Sequence, residues 1–228
     1  ATMLSITNPK DKVVIFSPFY ENYGADTILS GAEPIYVPLV PPDFTFSIEQ
    51  LENAFKQGAK ALILCNPSNP CGKVFTFEEL TAIADVVKKY DAYVVTDEVY
   101  EHIVYAPNKH IYMQALDGMR ERTIVCNSLS KTYSITGWRL GYVIANPEII
   151  DRVKKVHDFL TVGAAAPLME AATVGLKFDD KYYDELAAHY AHMKEVFVGG
   201  LEKLGLKYTD PQGAYYVLVD VSEFGAKI

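Results

Sequence analysis

A chain of 228 residues, half of them apolar and 22% charged, with a net charge of −8, is long enough for a substantial core in one domain or one and a part. The acidic balance argues against non-specific nucleic-acid binding, which needs a basic face, and no apolar run approaches the roughly 18 residues of a membrane-spanning helix. Cys65, Cys71 and Cys126 are odd in number and lack zinc or disulfide spacing, so they read as reduced thiols of a cytosolic protein.

Along the chain, Ala1 to Ile6 reads as the tail of a helix stopped by Asn8 and Pro9. Val13 to Phe16 reads as a strand, residues 20–30 as a helix ended by Gly31, and Pro34 to Val37 as a second strand. Ser47 to Gln50 opens a helix in capping-box form, with Ile48, Leu51, Ala54 and Phe55 on one face and Gly58 as its stop. Ala61 to Leu64 is a strand leading into the turn-rich stretch NPSNPCG at 66–72, where Cys71 is a space-filler or a reactive thiol. The Xaa-Pro bonds at 17–18, 66–67 and 69–70 are candidates for cis isomers that shape a cleft wall. Thr76 to Glu79 starts another boxed helix running to Lys89, and Tyr93 to Val95 is a strand ending at Asp97. A strand at Thr123 to Cys126 ends just before Ser128, and residues 140–145 follow. After Pro147 the pattern turns helical at about 148–160, 167–178 and 181–204, ahead of a strand-like run at 214–219.

Short apolar strands separated by helices predict a three-layer α/β/α fold with a mostly parallel central sheet. The chemistry-bearing residues follow the carboxyl ends of these strands, the edge at which open α/β sheets bind ligands. Asp97 ends a buried-type strand, where an unpaired carboxylate is costly. Its ordinary reading is a helix cap, and by residue type alone Glu98 is as good a candidate for chemistry. Tyr100 reads equally as a core aromatic among 16 tyrosines, and Asn69 as a turn former. Lys131 lies in a stretch rich in hydroxyls and glycine, Ser128 to Tyr142 (SLSKTYSITGWRLGY). With Arg139 after it, it suits an amine that forms a Schiff base with a carbonyl cofactor, beside an arginine that holds a phosphate. An adjacent guanidinium disfavours the ammonium, so Lys131 is expected to deprotonate more easily than an ordinary lysine.

This segment, with NPSNPCG at 66–72 and TDEVY at 96–100, closely resembles the motifs of the class I and II aminotransferases, the fold-type-I pyridoxal-phosphate enzymes. The resemblance runs over nearly the whole chain. It implies that Lys131 carries pyridoxal 5'-phosphate and later moves a proton between the substrate α-carbon and the cofactor. Asp97 would pair with the pyridinium nitrogen, and Tyr100 and Asn69 would meet the phenolic oxygen. Ser128, Ser130 and Arg139 would bind the phosphate, and Tyr20 or its neighbour Phe19 would stack on the ring; no metal is implied. The implied activity is ping-pong transfer of an amino group between an α-amino acid (aspartate or similar) and a 2-oxo acid, by a homodimer in the cytoplasm.

The resemblance also places a large cofactor-binding domain at 1–180, a connecting helix at 181–204 and the start of a small α+β domain at 205–228. Family members are longer at both ends. The chain therefore reads as an excised piece, lacking an upstream phosphate-binding turn and a downstream arginine for the substrate carboxylate. It is expected to bind cofactor weakly and not to transaminate by itself. Two alternatives share the fold: a carbon–sulfur β-lyase or cyclopropane-forming synthase, and the effector domain of an aminotransferase-like transcription regulator. The regulator's lysine segment usually has proline and leucine where this chain has Ile135 to Trp138. The Ser-x-x-Lys pattern of penicillin-binding enzymes fails for want of its companion motifs. His189 and His192, at helical spacing, and the isolated His102, His110 and His157 read as ordinary histidines.

Overall fold

The computed structural model describes residues 1–225. Six strands form one sheet: β1 (Lys12–Ser17), β2 (Glu33–Pro38), β3 (Ala59–Cys65), β4 (Tyr93–Asp97), β5 (Thr123–Ser128) and β6 (Gly141–Ile144). Their spatial order is β2-β1-β3-β4-β5-β6. The first five strands run parallel and β6 pairs antiparallel with β5. The helices are α1 (Thr2–Ile6), α2 (Asn22–Leu29), α3 (Ile48–Lys56), α4 (Phe77–Lys89), α5 (Leu129–Thr132), α6 (Pro147–Thr161), α7 (Ala166–Gly175) and α8 (Asp180–Lys203).

Strand periodicity divides the core into two layers, because successive side chains leave a strand on opposite faces. Val14, Phe16, Leu62, Leu64 and Val94 pack against Leu51 and Phe55 of α3 and Leu80, Ile83 and Val87 of α4. Val13, Ile15, Ala61, Ile63 and Val95 face the other way, toward Met3 of α1, Tyr23 of α2 and Ile149 and Val153 of α6. Both faces are covered, as the near-continuous apolar strands require. Crossovers leave β1 in one direction to β2 and return past it to β3, so the strand order switches there. The carboxyl ends of β1, β3, β4 and β5 place Ser17, Cys65, Asp97 and Ser128 along one edge, where an open α/β sheet receives ligands.

Two expectations need correction. Residues 214–219 form no strand; this stretch is anchored by single bridges, Val104 to Gly213 and Tyr208 to Val219. Ala214 sits in the left-handed region at φ 57°, which breaks the extended run and sends Tyr215 and Tyr216 toward Tyr100. Strand β5 continues to Ser128 because Gly141 of β6 pairs with it. A Cβ at Gly141 would lie 2.7 Å from the Asn127 carbonyl oxygen, so only glycine allows this approach. The Ser17–Pro18, Asn66–Pro67 and Asn69–Pro70 bonds are cis.

Helix α4 begins with a complete capping box. The Thr76 hydroxyl accepts from the Glu79 amide at 3.2 Å while Glu79 Oε2 accepts from the Thr76 amide at 2.9 Å. The other Glu79 oxygen takes the buried Lys73 ammonium at 2.7 Å, tying the loop after Gly72 to the same helix start. Thr76→Ala is expected to lower stability by about 1 kcal/mol, read as a lower urea midpoint with an unchanged slope.

Candidate active site

Asp97 ends β4 on the carboxyl edge. Its Oδ2 accepts from the Tyr23 hydroxyl at 2.6 Å, and its Oδ1 from the Val99 amide at 3.2 Å. Burial raises its pKa above the ordinary carboxylate value, opposed by these two bonds and by the more distant Lys131 charge. The carboxylate opens on a cleft of about 610 Å³, with Tyr20, Tyr23, Thr96 and Cys126 in its wall. Tyr20 meets Tyr23 edge-on at 5.7 Å. Phe19 is instead stacked on Tyr36 at 5.1 Å, which leaves Tyr20 as the aromatic facing the cleft. Glu98 points elsewhere, into a bond from the Thr96 hydroxyl at 2.8 Å and a contact with His110 at 3.1 Å.

Lys131 sits in the short helix α5. Ser128 caps that helix, its Oγ accepting from the Ser130 amide at 3.1 Å. The same hydroxyl lies 2.7 Å from Ser130 Oγ and donates to the Leu140 carbonyl, 3.0 Å away. The amine of Lys131 lies over the Tyr215 ring, 5.7 Å from its centroid. The proximity of Tyr215 raises its pKa above the ordinary lysine value, partial burial opposes this, and Tyr216 and Tyr20 add to the rise. The expected depression by Arg139 is therefore overturned. Arg139, at φ 56°, turns outward and donates to the Thr136 carbonyl at 2.9 Å. It lines a neighbouring cleft with Asn127, Tyr142, Lys154 and His157 that meets the first at Cys126. Among the described residues no carboxylate pairs with it.

Tyr100 is buried, its hydroxyl 2.9 Å from that of Tyr216, and burial raises its pKa. Asn69 lines a narrow space with Phe19, Tyr23 and Cys65. Tyr20, Asp97, Tyr100, Ser128, Ser130 and Lys131 thus gather at one sheet edge, while Asn69 and Arg139 border adjoining spaces. Cys71 is buried with a raised pKa, which fits space filling and not reactivity.

Tyr23, Tyr215 and Tyr216 escape sequence reasoning. Tyr23 lies one helical turn beyond Tyr20, and the pair at 215–216 follows a Pro-Gln-Gly turn that reads as the start of a strand. Their arrival depends on two glycines. Gly72 is left-handed at φ 68°, and a Cβ there would sit 3.2 Å from the Gly213 carbonyl oxygen. At Gly213 a Cβ would meet the Ile103 carbonyl oxygen at 2.9 Å and Val74 at 2.8 Å. His110 is not isolated either: it contacts Glu98 at 3.1 Å and lies beside Glu101, while its Nδ1 is buried with no hydrogen-bond partner among the described residues. Asn127 donates to Glu101 Oε1 at 2.5 Å and Tyr112 to its Oε2 at 2.8 Å. With each carboxylate oxygen occupied, the group reads as a polar clamp joining the turn after β4 to the end of β5.

The family model described as Aminotransferase class I and II matches residues 1–226. The chain belongs to this family. It is 36% identical over 98% of its length to kynurenine–oxoglutarate transaminase 3 of Rattus norvegicus, covering 53% of that protein. It is also similar to a probable N-succinyldiaminopimelate aminotransferase of Mycobacterium tuberculosis, at 32% identity over 99% of this chain and 57% of the other. A solved N-succinyldiaminopimelate aminotransferase from that organism superposes with a TM-score of 0.95 at 31% identity, over 99% of this chain and 59% of the other. An aromatic aminotransferase from Pyrococcus horikoshii OT3 gives 0.93 at 33% identity, over 99% and 61%. The chain spans about half the length of the curated relatives it matches.

Members of this family use pyridoxal phosphate, and the donor set fits it. Among the described residues, a carboxylate without a cationic partner suits a ring N–H, a guanidinium free of carboxylates and a hydroxyl pair suit a phosphate, and an amine stands beside them. Because the folded state binds the Asp97 proton more tightly than the unfolded chain, this group's contribution to stability is full below the unfolded pKa. It is lost as pH rises through the folded pKa. Asp97→Asn is expected to raise the melting temperature of the cofactor-free chain at neutral pH and to flatten that part of the pH profile, measured by thermal scans across the acid range. Gly213→Ala is expected to cost roughly 1–3 kcal/mol by forcing the two backbones apart, measured in urea.

Proposed function

We propose that this chain supplies the cofactor floor of an aminotransferase that moves an amino group between an α-amino acid and a 2-oxo acid. The observation that carries the reading is the meeting, at one sheet edge, of the Lys131 amine, the buried Asp97 carboxylate and the Ser128–Ser130 hydroxyl pair. Pyridoxal 5'-phosphate, when bound, supplies an electrophilic carbonyl and an electron-accepting ring.

Asp97 would take the ring nitrogen as a fixed anion. Tyr100 and Asn69 would address the phenolic oxygen, and Tyr20 would cover the ring face. Ser128, Ser130 and Arg139 would hold the phosphate, with the guanidinium swinging from the Thr136 carbonyl to do so. Lys131 Nζ would hold the cofactor and, once released, carry a proton to or from the substrate α-carbon. The donor and acceptor named for the relatives, kynurenine and oxoglutarate, lie within this substrate class. A homodimer, a cytoplasmic location and a division into a large domain at 1–180 and a further one from 205 belong to the same proposal. The free cysteines support the location.

Mixing the chain with pyridoxal phosphate, trapping with borohydride and mapping the peptides tests the reading. Label is expected on Lys131 and lost in Lys131→Ala. Arg139→Ala is expected to weaken cofactor binding on the order of 10- to 100-fold, the worth of a charge-assisted contact. Label spread evenly over surface lysines, unchanged by Lys131→Ala, would overturn it.

A further inference from the structure

The aromatic group around Lys131 carries an inference beyond cofactor binding. Tyr215 is held on three sides. It meets Tyr100 edge-on at 5.2 Å, stacks on Tyr190 of α8 at 5.7 Å and tilts on Tyr216 at 5.0 Å. Its backbone is pinned as well. The Ala214 amide donates to the Ile103 carbonyl at 2.8 Å, the Tyr105 hydroxyl donates to the Ala214 carbonyl at 2.5 Å, and the Gln212 amide donates to the Gly72 carbonyl at 2.9 Å. Ala214 holds a left-handed backbone at φ 57°, which a side chain disfavours and which persists only where neighbours impose it. This conformation immediately precedes the ring on which the Lys131 amine rests.

We propose that Tyr215 is a positioning residue for Lys131, keeping the free ammonium parked over its ring at the mouth of the site until a carbonyl displaces it. The inference rests on Lys131 being the cofactor-bearing amine. The groups facing Lys131 are Tyr215 and Tyr216 from the C-terminal segment, Tyr20 ahead of α2, Tyr190 of α8 and Asp97 at the end of β4. Asp97 is the one carboxylate in this set, and the other groups are aromatic. An aromatic face attracts a cation and not a neutral amine. A Schiff base needs the neutral amine, so the ring both places Nζ and delays its reaction. A lysine without this partner would wander and react sooner.

The test is competitive acylation of the cofactor-free chain with acetic anhydride across pH, followed by peptide mapping. Lys131 is compared with the exposed lysines of the same molecule as internal standards. Tyr215→Leu removes ring and hydroxyl, and Tyr215→Phe keeps the ring. In Tyr215→Leu the Lys131 profile is expected to move to lower pH, with reactivity at neutral pH raised roughly two- to fivefold; Tyr215→Phe is expected to fall between it and the parent. An unchanged or slower Lys131 profile in a folded Tyr215→Leu chain overturns the proposal. If that variant does not fold, the parent profile decides: a Lys131 profile at higher pH than those of the exposed lysines supports parking, and one at the same or lower pH overturns it. Acylation needs no cofactor, so borohydride trapping that missed Lys131 would refute the site reading separately.

Discussion

A carboxylate buried at the end of a parallel strand sets the terms for this molecule. Among the described residues Asp97 has no cationic partner at hydrogen-bond distance, and an ionised carboxylate out of water is unfavourable unless donors surround it. Two neutral donors meet it, the Tyr23 hydroxyl and the Val99 amide. Supplying the first fixes the opening turn of α2 over the sheet. Supplying the second fixes the bend that leaves β4, and with it the direction of Tyr100. The cleft is the space left between these two constraints, and its deepest polar atoms are poised for a cationic N–H.

The second constraint is long-range closure. Residues 211–216 cross the Asn-Pro loop at a distance that only Gly72 and Gly213 permit. That crossing buries Ala214 and delivers Tyr215 and Tyr216 to the top of the site. Lys131, carried on a single turn of helix capped by Ser128, then finds a phenol where sequence proximity offered a guanidinium. The charge state of the amine follows from this exchange of neighbours. A cation eight residues along the chain matters less than a ring brought in from the far end of the sequence.

The central sheet was legible in the sequence because strand period, apolar runs and capping residues are local signals. The box at Thr76 and Glu79 and the alternation of Val13, Val14, Ile15 and Phe16 between two core layers follow from them directly. The motif residues Asp97, Tyr100, Ser128, Ser130 and Lys131 were legible too, and they do share one edge. The run at 214–219 misled because alternation alone cannot reveal a left-handed Ala214. His110 looked solitary because its partner, Glu98, lies on a turn whose shape is decided by packing.

What the sequence determined by itself is therefore the class of fold, the family, and the identity of the groups able to do chemistry. These depend on side-chain type and on spacings of a few residues. Only the tertiary structure decided which tyrosine serves which charge: Tyr23 reaches Asp97 across 74 positions, and Tyr100 reaches Tyr216 across 116. Pairings at such separation are set by where the two core layers and the closing segment come to rest. The protonation of Asp97 and Lys131 is set there as well, since desolvation and through-space charge exist only once the chain has folded.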